Sequence, residues 1–92
     1  MRYAAKRDQA EPPILEALER IGAQVWPLDY PVDLLVRFRD RWHLLEVKTG
    51  RGKKQTVAKD KRQVAQQNFL ATTGTPIVRT PIEALRAIRA IP

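Results

Sequence analysis

The sequence predicts an α/β fold in which a small mixed β-sheet is flanked by helices. Apolar residues recur every three or four positions in three segments, and short runs rich in β-forming residues lie between them. The elements read as helix, three strands, basic loop, helix, strand and helix, which is an αβββαβ core followed by a C-terminal helix. A chain of 92 residues has room for one core, so we take residues 1–92 as one domain.

The first helix is predicted over residues 11–21. Pro12 and Pro13 are tolerated only in a first turn, which places the start of the helix just before them, and Gly22 favours its end. A short strand is predicted over residues 23–28, with proline near its end.

The two strongest strand predictions cover residues 32–38 and 42–49, joined by a tight hairpin through residues 39–41. The centres of both strands are apolar at successive positions, which favours a sheet covered by helices on both faces. No glycine specifies the turn, so the register of the hairpin stays open between alternatives.

After the basic loop, a helix is predicted over residues 60–72, a strand over 76–79 and a last helix over 81–88. Thr80 and Glu83 have the spacing of a capping box at the start of that last helix.

The charge of the chain is strongly positive and unevenly distributed. The net charge is +7, and residues 48–62 hold one acid, Asp60, against seven cations: Lys48, Arg51, Lys53, Lys54, Lys59, Lys61 and Arg62. Such a cluster suits a polyphosphate partner, because each neutralised phosphate releases counterions. The alternative is a solvated basic loop without a partner.

Composition excludes several classes of protein. The chain has no cysteine, which excludes disulfides and thiolate metal sites. It has no apolar run near the roughly 20 residues of a membrane span, and its first residues are charged, unlike a secretory signal. We therefore expect a cytoplasmic protein that does not associate with membranes.

Asp33 and Glu46 are acids inside otherwise apolar strands, where an unpaired carboxylate is costly. Alternation places Glu46 and Lys48 on one face of their strand and His43, interpreted as a packing residue, on the other. A turn at residues 39–40 would place Asp33 opposite Glu46, and a turn at 40–41 would place it opposite Lys48. A three-residue loop would instead split the cluster across the sheet.

Two neighbouring carboxylates are typical of a site for a hard cation such as Mg²⁺. In phosphodiester hydrolysis such an ion activates water and polarises the phosphate, while Lys48 would stabilise developing charge. The alternative is a structural ion-pair network of Asp33, Glu46 and Lys48.

These residues resemble the PD-(D/E)XK nuclease superfamily, in particular its small VRR-NUC and Holliday-junction-resolvase-like members from phages and bacteria. The match is the strand that begins Asp33-Leu34-Leu35-Val36, followed thirteen residues after Asp33 by Glu46-Val47-Lys48 within the hairpin. The chain departs from the motif because its proline, Pro31, precedes the acid by two positions rather than one.

The resemblance implies a restriction-endonuclease-like fold and a role for each matching residue. Asp33, Glu46 and the backbone carbonyl of Val47 would bind the metal, and Lys48 would be the catalytic lysine. Glu11 would be an accessory acid of the first helix, although a helix-start acid favoured by the dipole is the simpler interpretation. Gln63 would line the site from the second helix, the alternative being an ordinary exposed glutamine.

We therefore expect a Mg²⁺- or Mn²⁺-dependent endonuclease that hydrolyses DNA, selects branched structures such as a Holliday junction, and forms a homodimer. Its DNA-binding residues would be the cations of the loop and the following helix: Arg51, Lys53, Lys54, Lys59, Lys61 and Arg62. The alternative is a nucleic-acid-binding module with the same fold and no catalysis. RNA is not distinguished from DNA by the sequence.

Overall fold

The computed structural model describes residues 9–48 and 61–92. Its helices and strands are, in chain order, α1 (Glu11–Arg20), β1 (Gln24–Pro27), β2 (Leu34–Phe38), β3 (Arg41–Val47), α2 (Lys61–Thr73), β4 (Ile77–Val78) and α3 (Pro81–Ala87). The predicted type and order of the elements are confirmed, and their boundaries lie within two residues of those predicted.

The four strands form one sheet in the order β1-β2-β3-β4. The first three strands pair antiparallel through short connections, whereas β4 pairs parallel to β3. A parallel partner has to be reached by a crossover, and α2 lies in that connection. The fold is thus α/β, a small mixed four-stranded sheet flanked by three helices.

The β2–β3 hairpin turns over two residues. Phe38 pairs with Arg41, which leaves Arg39 and Asp40 as the turn. Both turn residues have positive φ, 53° and 63°, as a two-residue turn matching the strand twist requires. The same register continues past Leu34↔Leu45 and places Asp33 opposite Glu46. The first of the two even registers is therefore the correct one.

The hydrophobic core lies on one face of the sheet, beneath α1 and α3. From the strands it takes Leu34, Val36, Leu45 and other alternate residues, which share that face by the period of two. The helices contribute Ile14, Leu18, Ala84 and Ile88, all buried. Burial of these side chains is the main stabilising contribution to the described fold.

The expectation of helices burying both faces is wrong for the described part of the chain. Helix α2 has no buried residue, because its sequence lacks a continuous apolar stripe. On the corresponding face of the sheet, Leu35 and Leu44 are half-buried, and Trp26 and Trp42 are exposed. This open face also carries the candidate site.

The start of α3 carries the predicted capping interaction with one difference. The Thr80 hydroxyl accepts a hydrogen bond from the Glu83 backbone N–H at 3.1 Å. The Glu83 carboxylate accepts from the N–H of Arg79 at 2.6 Å, rather than from that of Thr80. The reciprocal pair still satisfies two backbone donors, so α3 begins where the sequence predicts.

The helices are short, and the longest, α2, has 13 residues. Within residues 9–48 and 61–92 there is no helix with the length and apolar character that a membrane span needs.

Candidate active site

The hairpin brings Asp33, Glu46 and Lys48 together at its open end, as predicted. Glu46 is only 3% exposed, although a glutamate side chain is ordinarily ionised in water. It lies one residue before the end of β3. Lys48 directly follows that strand, and its Nζ lies 3.3 Å from Glu46 Oε2. The Lys48 side chain is 50% exposed, so the ammonium lies at the boundary between the buried carboxylate and solvent.

Asp33 is held in place by the end of the β2–β3 pairing. Its Oδ2 accepts a hydrogen bond from the backbone N–H of Val47 at 2.8 Å. Its backbone carbonyl accepts from the N–H of Leu28 at 2.6 Å. A charge-assisted bond to a backbone donor orients a carboxylate strongly. The Asp33 carboxylate therefore takes a definite position beside Glu46, where β2 stops pairing with β3.

The electrostatic environment of Glu46 disfavours its charged form. Burial raises the pKa of Glu46 from its ordinary 4.5 to about 7, the neighbouring Asp33 carboxylate adds to the rise, and Lys48 opposes it. Protonated Glu46 also donates a hydrogen bond to Asp33, which favours the neutral form further. As a carboxylate, Glu46 leaves Oε1 buried without a hydrogen-bond partner among the described residues.

This unsatisfied oxygen fits a divalent cation. A cation between Asp33 and Glu46 would satisfy Oε1 and offset the repulsion between the two carboxylates. Mg²⁺ is commonly bound by one or two carboxylates and keeps several waters, so two acids suffice for such a site. Within the described ranges, no group of three or more His, Cys, Asp and Glu side chains is arranged to hold a metal ion.

Glu11 does not complete a three-acid group with Asp33 and Glu46. It is the first residue of α1 and is 4% exposed. An acid in the first turn is favoured by the helix dipole, which is the simpler interpretation of its position. Its role as an accessory metal ligand stays a prediction.

Helix α2 approaches the site through a residue that the sequence analysis did not select. Gln63 is exposed in the first turn of α2, and its role in lining the site stays a prediction. Gln66, one turn later, donates from Nε2 to the backbone carbonyl of Pro31 at 3.0 Å. The i, i+3 spacing of the two glutamines, which places them on one helix face, was the available signal.

Two of the predicted DNA-binding cations are described, and both are exposed at the start of α2. Lys61 is its first residue, and the Arg62 guanidinium lies 4.5 Å from the centre of the Tyr30 ring. This cation–π contact joins α2 to the loop that leads to Asp33. The predicted cations Arg51, Lys53, Lys54 and Lys59 lie outside the described residues.

His43 is three positions from Glu46 in β3, so its side chain lies on the opposite face of the strand. This position agrees with its interpretation as a packing residue. Burial lowers the pKa of His43, and the nearby charges of Arg41 and Arg89 lower it further. The neutral imidazole is therefore favoured, and His43 is separate from the carboxylate pair.

The chain was compared with protein-family models, with curated proteins and with solved structures, and none of the three comparisons found a match. The interpretation of the site accordingly rests on its own geometry.

Proposed function

We propose that this protein is a metal-dependent endonuclease that hydrolyses DNA phosphodiester bonds. One observation carries the proposal: the buried carboxylate of Glu46 lies beside the half-buried carboxylate of Asp33, with the Lys48 ammonium 3.3 Å from Glu46 Oε2. A buried carboxylate next to a second acid is costly to fold, and the described core lies on the other face of the sheet. A catalytic role on the open face would account for these two carboxylates, whereas packing in the core does not.

The proposed roles follow from the position of each group. Asp33 and Glu46 would hold Mg²⁺ or Mn²⁺, with the Val47 carbonyl as a further ligand. When bound, such an ion polarises the phosphoryl oxygen and lowers the pKa of a coordinated water. Lys48 supplies a fixed positive charge at the exposed side of the pair, where it would stabilise charge developing on the phosphate. The hydrogen bond from Val47 to Asp33 keeps that carboxylate oriented throughout.

The proposed substrate is branched DNA, for example a four-way junction. The net charge of +7 and the exposed Lys61 and Arg62 at the start of α2 support a phosphate-rich partner. We propose that the DNA is selected by its shape rather than by a base sequence. Action as a homodimer is part of the same proposal.

The decisive experiment measures cleavage of labelled linear duplex, single strand, flap and four-way junction in Mg²⁺, Mn²⁺ or EDTA. We expect metal-dependent cleavage by the wild type and a loss of at least about 100-fold in rate for Glu46→Gln, as for removal of a group that stabilises the transition state. The Gln side chain keeps the shape of Glu46, which limits damage to the fold.

Glu16→Gln is the matched control, because Glu16 is an exposed acid on the solvent side of α1. It changes the net charge by the same amount and should leave cleavage unchanged. Cleavage that persists in Glu46→Gln, or in EDTA, would show that this site is not the catalytic centre.

A second candidate is a nucleic-acid-binding module of the same fold without catalysis. Two observations favour it: Glu46 is already paired with Lys48, and the described residues provide no third acid at the site. This candidate predicts that the wild type binds the DNA panel and cuts none of it in either metal.

A further inference from the structure

Two tryptophans and an arginine form an exposed surface on the open face of the sheet. The Trp26 and Trp42 ring centres are 5.7 Å apart, with a 34° angle between the planes. The Arg37 guanidinium lies 5.6 Å from the centre of the Trp42 ring. Trp26 is 43% exposed and Trp42 is 58% exposed. We refer to Trp26, Arg37 and Trp42 as the tryptophan surface.

The strand register places this surface on the same face as the carboxylate pair. Arg37 is paired with Trp42, and Leu35 lies between Trp26 and Leu44. Because side chains alternate, Trp42, Leu44 and Glu46 share one face of β3. Trp42 precedes Glu46 by four residues, so the two positions are roughly 13 Å apart along the strand. A ligand lying along β3 would reach both.

The described fold gives these rings no packing role. Large aromatic side chains normally bury most of their area, and the core of this domain lies on the opposite face of the sheet. Exposed apolar area that is rimmed by polar groups commonly marks a binding surface. The tryptophan surface therefore suits a partner with flat apolar rings.

A groove beside Trp42 offers space for such a ring. The groove has a volume of about 320 Å³ and is lined by Trp42, Leu44, Thr73, Thr75 and Pro76 among others. It is open because β4 pairs with β3 only at Glu46 and Val47, so that among the described residues no strand neighbours this edge of β3 near Trp42. This volume is at the lower end of the range for small-ligand sites.

Charge selects among the possible partners. On this face Arg37 is exposed beside Trp42, in an exposed ion pair with Asp40 of the turn, and the chain as a whole carries a net charge of +7. A second copy of this chain would bring the same net charge of +7, so electrostatics does not favour it on this surface, and the proposed homodimer would form through another one. A partner that combines flat rings with negative charge fits both the aromatic and the basic character of the face.

We propose that Trp26 and Trp42 stack on unpaired bases of the nucleic acid that is cleaved at Asp33 and Glu46. The substrate would then contain a single-stranded segment about four nucleotides from the scissile phosphate, at the 3.4 Å spacing of a stacked strand. This inference rests on the proposed function for the position of cleavage. Stacking of a base on an aromatic side chain strengthens binding by about 5- to 150-fold per base.

The test measures binding of fluorescently labelled oligo(dT) and of a duplex of equal length by anisotropy in EDTA. We expect Trp42→Ala to weaken binding of oligo(dT) at least about 10-fold and binding of the duplex less than about 2-fold. The same fold-change should hold at about 50 and 200 mM salt, because stacking releases no counterions. Trp42→Phe, which keeps a ring, should stay within about 3-fold of the wild type.

Ile82→Ala is a control for loss of an exposed apolar residue elsewhere, because Ile82 lies on α3. It should bind both oligonucleotides as the wild type does. The intrinsic fluorescence of the wild type gives a readout that needs no variant, since stacking on a base should quench Trp26 and Trp42. Absence of quenching at saturating oligo(dT) would overturn the proposal, as would equal losses for single strand and duplex.

The outcomes separate this inference from the proposed activity. If oligo(dT) binding depends on Trp42 and no DNA is cut in Mg²⁺, the stacking surface stands and the endonuclease proposal fails. If duplex DNA is cut and Trp42→Ala changes neither binding nor cleavage, the endonuclease proposal stands and the stacking proposal fails. If Trp42→Ala converts a dimer to a monomer in sedimentation and leaves oligo(dT) binding intact, the surface is an interface between copies and the stacking proposal fails.

Discussion

Glu46 is buried in a way that an acid tolerates only with compensation. Its burial and the nearby Asp33 carboxylate both favour the protonated form, whereas Lys48 at 3.3 Å favours the charged form. The balance places the pKa of Glu46 at about 7, so the protein without metal carries an acid that titrates near neutral pH. The charge state of this residue therefore couples the site to the stability of the fold.

We predict that the metal-free protein loses stability as the pH rises from 5 to 8. Glu46 titrates near 4.5 in the unfolded chain and near 7 in the folded protein, so the folded state binds the extra proton between these values. Its contribution to stability is thus present at low pH and lost as the pH rises through about 7. The loss is at most about 3 kcal/mol. Urea unfolding in EDTA at the two pH values measures it.

Glu46→Gln is the control, because His43 also titrates in this range with the opposite sign. The pKa of His43 is lowered below 6.5, so the stability it contributes is lost as the pH falls. The variant keeps His43 and removes the Glu46 proton. Wild type and Glu46→Gln with the same pH dependence from 5 to 8 would contradict the prediction.

The β2–β3 turn determines where the site residues meet. Arg39 and Asp40 both adopt positive φ, a region that non-glycine residues enter at a cost. The strained turn is compensated by the ladder that it closes, in which Leu34 pairs with Leu45 and Val36 with His43. The two-residue turn also places Asp33 directly opposite Glu46, so that their side chains lie on the same face of the sheet.

We predict that Asp40→Gly stabilises the protein by about 0.5 kcal/mol, because glycine adopts positive φ without strain and aspartate tolerates it only partly. The lost ion pair between Asp40 and Arg37 is exposed, so its removal costs little. The midpoint of urea unfolding measures the change.

Gly22→Ala provides a control of opposite sign for Asp40→Gly. Gly22 has φ of 88° with nothing within 4 Å of an added Cβ, so the substitution tests backbone strain alone. It should destabilise the protein by about 1 kcal/mol. Equal effects of the two substitutions would show that positive φ does not set the energetics of these positions.

At the scale of the whole molecule, the described residues form a core on one face of the sheet. The buried side chains of α1, α3 and one sheet face form a single cluster, and α2 adds none to it. A domain of 92 residues with such a core has little stability to spare. The side chains buried on the covered face supply most of the stability of the fold, and the candidate site lies on the open face.

We predict that Leu18→Ala destabilises the protein by about 2–5 kcal/mol, since Leu18 is fully buried in α1 and its loss leaves a cavity. Val64→Ala, on the exposed surface of α2, should change stability by less than about 0.5 kcal/mol. Guanidinium unfolding monitored by circular dichroism measures both. A comparable loss for Val64→Ala would mean that α2 packs more tightly than this fold allows.

Local patterns were sufficient to predict most of the secondary structure. Helical spacing and the two prolines at the start of α1, the run of β-forming residues in β3, and the Thr80–Glu83 cap each depend on residues that are close in sequence. The pairing of Glu46 and Lys48 on one face follows from alternation alone. These features could be read from the sequence because their physical causes act over a few residues.

Longer-range features required the assembled fold. The sequence left two even registers and an odd one open, and the turn geometry at residues 39–40 placed Asp33 opposite Glu46. The meeting of Trp26 with Trp42, sixteen residues apart, depends on three strands pairing in register. Whether α2 buries the second face, and whether Glu11 joins the acids, likewise depend on packing between distant segments. Such contacts depend on many weak interactions between segments that are distant in sequence, so they cannot be predicted from any short stretch of the chain.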